Sequence, residues 1–139
     1  MHTTRSRLLL LLLLLLLLLT MGLRQAPLVN PPPIAVPAGM TDVQVGKAIK
    51  AALAGRGWAV IGEQPDAIEA SLHLRKHVAQ IHIAHDQQSV RITYVSSSEL
   101  KYEQKRGKPY IHKNYLGWIQ NLVDDIGRDL QLVSAGVGG

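Results

Sequence analysis

Twelve consecutive leucines, Leu8 to Leu19, follow an N-terminus whose only charged side chains are Arg5 and Arg7. A helix of that composition is apolar on every side, so it has no polar face to turn to water in a small globular fold. Basic residues, then an apolar run, then the small residues Thr20 and Gly22 are the order of an export signal. The run ends at Leu23 and is broken by Thr20 and Gly22, whereas a spanning helix needs about 20 apolar residues. The expectation is therefore a signal peptide over 1–22, cleaved to release a periplasmic chain that starts near Leu23. The alternative is an inner-membrane anchor with the domain facing the periplasm, the arginines staying on the cytoplasmic side.

The sequence has no cysteine, which excludes disulfides, thiolate metal sites, cysteine nucleophiles and the lipid-bearing cysteine of a lipoprotein. A hydrophobic content of 47% argues against disorder. Residues 41–133 are enough for one domain that folds without staples. Before it, 23–40 reads as a proline-rich spacer, with Pro27, Pro31, Pro32, Pro33 and Pro37 favouring extended backbone that lacks a packed partner. After it, 134–139 reads as a disordered tail. Losing Arg5 and Arg7 leaves thirteen basic residues against ten acidic ones, a mild +3 that does not ask for nucleic acid. No cofactor is expected, and membrane contact only if the signal is retained.

Thr41 and Gln44 form a capping-box pair, and Val45, Ala48, Ile49, Ala52 and Leu53 recur at helical spacing, which predicts a helix over 41–54 stopped by Gly55 or Gly57. From Trp58 the period becomes two. A short strand at 58–61, then Ile68, Ala70, Leu72 and Leu74, then Ala79, Ile81 and Ile83, then Val90, Ile92 and Tyr94 predict an antiparallel meander. A turn at Lys76 and His77 would pair Leu72 with Ile81 and Ala70 with Ile83. Residues 96–109 read as a polar loop. Helical spacing returns over 112–133, with Asn114 placed to cap it, and Gly117 and Gly127 imply close contact with another backbone or support from packing. The fold expected is α+β and two-layer: two helices on one face of an antiparallel sheet of three to four strands, in the order α-β-β-β-β-α. Leu72, Leu74, Ile81, Ile83, Val90, Ile92, Ala48, Ile49, Ala52, Trp118, Leu122 and Ile126 should share its core.

Histidine is the ligand type most in evidence. His73 and His82 would project diagonally from the outer sheet face, close enough to share a metal, but no third ligand converges on them. Ser96, Ser97 and Ser98 near His112 lack the strained elbow of a nucleophilic serine. Asp124, Asp125 and Asp129 read as a solvated helix face. A basic and aromatic stretch, Lys101, Lys105, Arg106 and Lys108 among Tyr102, Tyr110 and Tyr115, suits an anionic envelope component such as phosphates of lipid.

Several motifs taken together resemble a family of small proteobacterial periplasmic or envelope proteins, many of them predicted lipoproteins. They are Gly57-Trp58, Leu74-Arg75-Lys76-His77-Val78-Ala79, Arg91-Ile92-Thr93-Tyr94-Val95, Ser98-Glu99-Leu100-Lys101-Tyr102, and Ile111-His112-Lys113-Asn114-Tyr115 with Trp118-Ile119. The chain departs from that pattern in lacking the lipoprotein cysteine, and in His85 and Leu116 where an aromatic and an asparagine are expected. The resemblance implies a periplasm-facing domain and carries over no catalytic role. Its motif residues Arg75, His77, Tyr102, His112, Asn114, Tyr115 and Trp118 are the candidate binding positions. The expectation is a non-enzymatic exported module that binds an envelope protein or anionic envelope component, with a histidine-based metal-binding protein or metal-dependent enzyme as the alternative.

Overall fold

The computed structural model describes residues 2–136. It is an α+β structure of three helices and two antiparallel sheets. The first helix, α1, spans His2–Arg24, and every leucine from Leu8 to Leu19 is exposed on it. Among the described residues no helix is long and apolar enough to cross a membrane.

α2 spans Asp42–Gly55 and begins where the capping box requires. The Gln44 N–H donates to Thr41 Oγ1 at 3.2 Å, and the Thr41 N–H donates to Gln44 Oε1 at 3.0 Å. Gly57, in the left-handed region at φ +80°, then reverses the chain, and the Trp58 N–H returns to the Leu53 carbonyl at 2.9 Å. Four strands follow: β3 (Ala59–Gln64), β4 (Ala67–Leu74), β5 (His77–His85) and β6 (Ser89–Ser98). The central pairing differs from expectation by two residues. Leu74 stands opposite His77, Leu72 opposite Ala79, and Ala70 opposite Ile81, so the turn is Arg75 and Lys76. A slip of two keeps every side chain on its face, which is why Ile68, Ala70, Ala79, Ile81, Ile83, Val90 and Ile92 are buried as the alternation requires.

The segment expected as an unpartnered spacer lies on the domain instead. β1 (Gln25–Pro27) pairs with β8 (Lys108–His112), and β2 (Ile34–Ala35) pairs with β6. Between them the Leu28 N–H donates to the Pro109 carbonyl, and Asn30 Oδ1 accepts the Tyr94 N–H. Leu28, Ile34 and Val36 pack against the core. Proline is tolerated here because β1 and β2 are edge strands, with no second partner asking for its missing N–H. The larger sheet runs β2-β6-β5-β4-β3, and the smaller runs β1-β8-β7 with β7 at Glu103–Lys105. The stretch expected as a loop is thus mostly the end of β6 and the β7–β8 hairpin.

α3 spans Lys113–Ser134. Residues 137–139 of the expected tail lie outside the described residues. His112 caps this helix rather than Asn114: the His112 Nδ1 accepts the Asn114 N–H at 3.0 Å. α2 and α3 pack on each other and share one core with the inward sheet face. Of the expected core, Leu74 is 46% exposed at the last rung before the turn and Trp118 is only half-buried; the two meet in a small cleft with Trp58 and Leu72. Asp125 is buried rather than solvated. Arg56, just past α2, holds it at 2.7 Å, and Arg128 adds a second contact at 3.3 Å, so the Arg56 hydrogen bond keeps this carboxyl below the usual carboxylate range. Among the described residues Gly117 and Gly127 meet no other backbone, for a Cβ at either has nothing within 4 Å.

Candidate functional site

The site is built where β6 leaves the sheet. A bulge lies across from Gln80 and Ile81, so that Ile81 faces Tyr94 while Ala79 faces Ser97. The extra residue places Tyr94 and Ser97 on the same face although they are three apart, and the Tyr94 hydroxyl and Ser97 Oγ bond at 2.7 Å. Beyond the strand, Glu99 (φ +59°) and Lys101 (φ +54°) are both left-handed. The residue between them, Leu100, is buried as a peg, and its carbonyl accepts the His112 N–H at 2.8 Å. Non-glycine residues in that region are strained by roughly 1 to 2 kcal/mol. Here the peg and a second clamp hold them, with the Gln25 side chain donating to the Lys101 carbonyl at 2.8 Å.

This kinked segment forms one wall of a concavity of about 640 Å³. The β4–β5 turn contributes Lys76, the start of β5 contributes His77, the end of β8 contributes His112, and the end of α1 contributes Arg24. The His77 ring lies 6.4 Å from the His112 ring and 6.3 Å from that of Trp118. Tyr102 stacks on Tyr94 at 5.1 Å, and Tyr94 meets the edge of Tyr115 at 5.6 Å. Burial raises the Tyr94 and Tyr115 hydroxyls above their ordinary range. Burial first, then Lys101, His77 and Arg24, hold His112 below the usual imidazole range.

The expected binding set is therefore partly gathered. His77, Tyr102 and His112 line the concavity, with Trp118 against His77 and Tyr115 buried beneath the tyrosine stack. Arg75 does not line it; it is the exposed left-handed residue of the turn, at φ +57°. Asn114 is exposed and contributes its backbone N–H. The expected anion-binding set divides in the same way. Lys101 joins the concavity, whereas Lys105, Arg106 and Lys108 lie on the β7–β8 hairpin, Lys105 reaching back to Gln25 at 2.9 Å and over the Tyr110 ring. Arg24, Lys76, Ser97 and Glu99 are site residues that sequence reasoning missed. Arg24 falls in the stretch that reads as a spacer, and nothing in its neighbours signals a fold contact.

The outer sheet face does not hold the pair expected of it. With the shifted register His73 stands opposite Val78, and His82 stands opposite Glu69 and bonds to it through Nδ1, so the two histidines are not diagonal neighbours. Among the described residues no group of three or more histidines and carboxylates is placed to hold a metal ion. His85 is buried with its ring against Gly46, and among the described residues its Nδ1 has no hydrogen-bond partner.

No family model, curated protein or solved structure matches the chain.

Proposed function

We propose that this protein is an exported, non-enzymatic module of the periplasmic face of the envelope, and that it binds an anionic envelope component in the concavity beside His77 and His112. One observation carries the reading: three chain segments far apart in sequence bring Arg24, Lys76 and Lys101 to the rim of a cavity walled by two histidines and Tyr102, with Glu99 the one carboxylate among its described lining residues. Cations converging on a recess focus potential there and draw anions in. The volume falls within the range of small-molecule sites, roughly 300 to 1,000 Å³. The exposed leucine run of α1, Leu8 to Leu19, preceded by Arg5 and Arg7, supports export, since such a surface belongs in a translocation channel or membrane rather than in water.

The test compares two charge reversals of equal size. The protein is sedimented with vesicles of anionic phospholipid at low salt, and binding of Lys76→Glu with Lys101→Glu is set against that of Lys105→Glu with Lys108→Glu. The expected result is a several-fold loss confined to the first pair and diminished by added salt. Equal losses, or a loss only for the hairpin pair, would show that the concavity is not the site.

A further inference from the structure

The two histidines of the concavity are locked in opposite tautomers by the backbone. His77 Nδ1 lies 2.7 Å from the Glu99 carbonyl oxygen. A carbonyl only accepts, so Nδ1 carries the hydrogen and the neutral ring keeps its lone pair at Nε2. His112 Nδ1 instead accepts the Asn114 N–H, so its neutral ring carries the hydrogen at Nε2. One imidazole is a ready donor. The other becomes a donor at Nε2 only by taking up a proton.

His77 is faced by Lys76 from the turn, Glu99, Lys101 and Tyr102 from the segment after β6, His112 from β8, Trp118 from α3, and Arg24 from the end of α1. Three cations and one Nε2–H in that set are donors. An oxyanion entering among them meets every group favourably except the neutral His77 lone pair and the Glu99 carboxylate. A proton on His77 converts the lone pair into a charged donor while leaving its bond to the Glu99 carbonyl intact. The same change at His112 would put a hydrogen against the Asn114 N–H and uncap α3, so His112 resists protonation.

We propose that the concavity binds a tetrahedral oxyanion of the phosphate or sulfate class, and that it does so together with one proton taken from solvent onto His77 Nε2. This rests on the anion-binding reading above and names its ligand chemistry and its pH control. The cavity is larger than a bare phosphate, so the group enters as part of a phosphoester, either a lipid headgroup or a free small molecule.

The first measurement is calorimetry of the protein, purified in the form its cells produce, with inorganic sulfate, which does not itself titrate near neutrality. Buffers of different ionisation enthalpy count the protons exchanged. Expected are proton uptake on binding and an affinity that rises as pH falls, by up to about tenfold per pH unit. His77→Asn keeps a donor for the Glu99 carbonyl but has no Nε2; it should bind more weakly, with no proton uptake and a flat pH profile. His112→Asn keeps the helix cap but loses the Nε2–H; it should bind more weakly with the pH dependence preserved. Competition then identifies the source. Displacement of sulfate by glycerol phosphate alone supports a free phosphoester, displacement by anionic vesicles alone supports a headgroup, and displacement by neither overturns the phosphate assignment. Sulfate binding that Lys101→Glu abolishes, yet without proton uptake, overturns the His77 proposal and leaves the anion site standing. Absence of sulfate binding overturns this inference; if vesicle binding is also indifferent to Lys76 and Lys101, the anion-binding reading falls with it.

Discussion

His112 shows how much one side chain decides in this fold. It caps α3 through Nδ1, walls the concavity, and is held below the usual imidazole range first by its burial and then by Lys101, His77 and Arg24. In the unfolded chain a histidine takes its proton near pH 6.5, whereas the folded protein takes it lower. The unfolded state thus binds more protons between those two values, so stability is full above the ordinary imidazole range and falls as pH drops toward the lowered folded value. The thermal midpoint should therefore decline on acidification from about pH 7 to pH 5. His112→Asn should remove this part of the decline, because a carboxamide caps equally well and does not titrate. His112→Ala should lower stability by about 1 kcal/mol at neutral pH, the usual worth of a lost cap; chemical denaturation of the three proteins separates these effects.

At the scale of elements, what is legible in the sequence is local. The capping box names the start of α2 because Thr41 and Gln44 satisfy each other within one turn. The meander strands are readable because period two survives any even slip, and for the same reason their register is not: Arg75-Lys76 and Lys76-His77 are equally polar turns, and the left-handed Arg75 has no glycine or asparagine to mark it. α3 shows the opposite case. Its two glycines suggest tight backbone contact, but both face open space, so the helix is held by Tyr115, Ile119, Leu122, Ile126 and Leu130 on its buried face. Gly117→Ala and Gly127→Ala should then each stabilise the protein by roughly 0.5 to 1 kcal/mol, the helix-propensity difference with no steric cost. A fall in denaturation midpoint for either would show that the glycine meets something its surroundings do not suggest.

For the whole molecule, the N-terminal strap is the part on which the site depends. Arg24 lines the concavity and Gln25 both pairs with His112 and holds the Lys101 carbonyl. If the proposed export signal is removed, a cut after Gly22 leaves all of this in place, whereas a cut after Ala26 would strip Arg24 and most of β1. Mass spectrometry of the protein from the periplasmic fraction should accordingly find a chain beginning near Leu23. A chain beginning at Pro27 would contradict any part for Arg24 in the site, and an intact one recovered from the membrane would show that α1 is retained.

The amino-acid sequence alone determined what depends on neighbours a few residues apart: the helix start at Thr41, the alternation that divides each strand into an inner and an outer face, and the stripe of α3. These follow from hydrogen bonds within a turn and from the fixed periods of helix and strand, so local order is sufficient to read them. Tertiary structure alone decided the rest. That Pro27 belongs to an edge strand and not a spacer, that Asp125 is buried against Arg56, and that Arg24, Lys76, Lys101, His77 and His112 face one cavity all require segments as much as 88 positions apart to meet. Such meetings are set by which apolar faces pack together and by where a bulge or a left-handed residue bends the chain, and neither leaves a mark in the residues nearby.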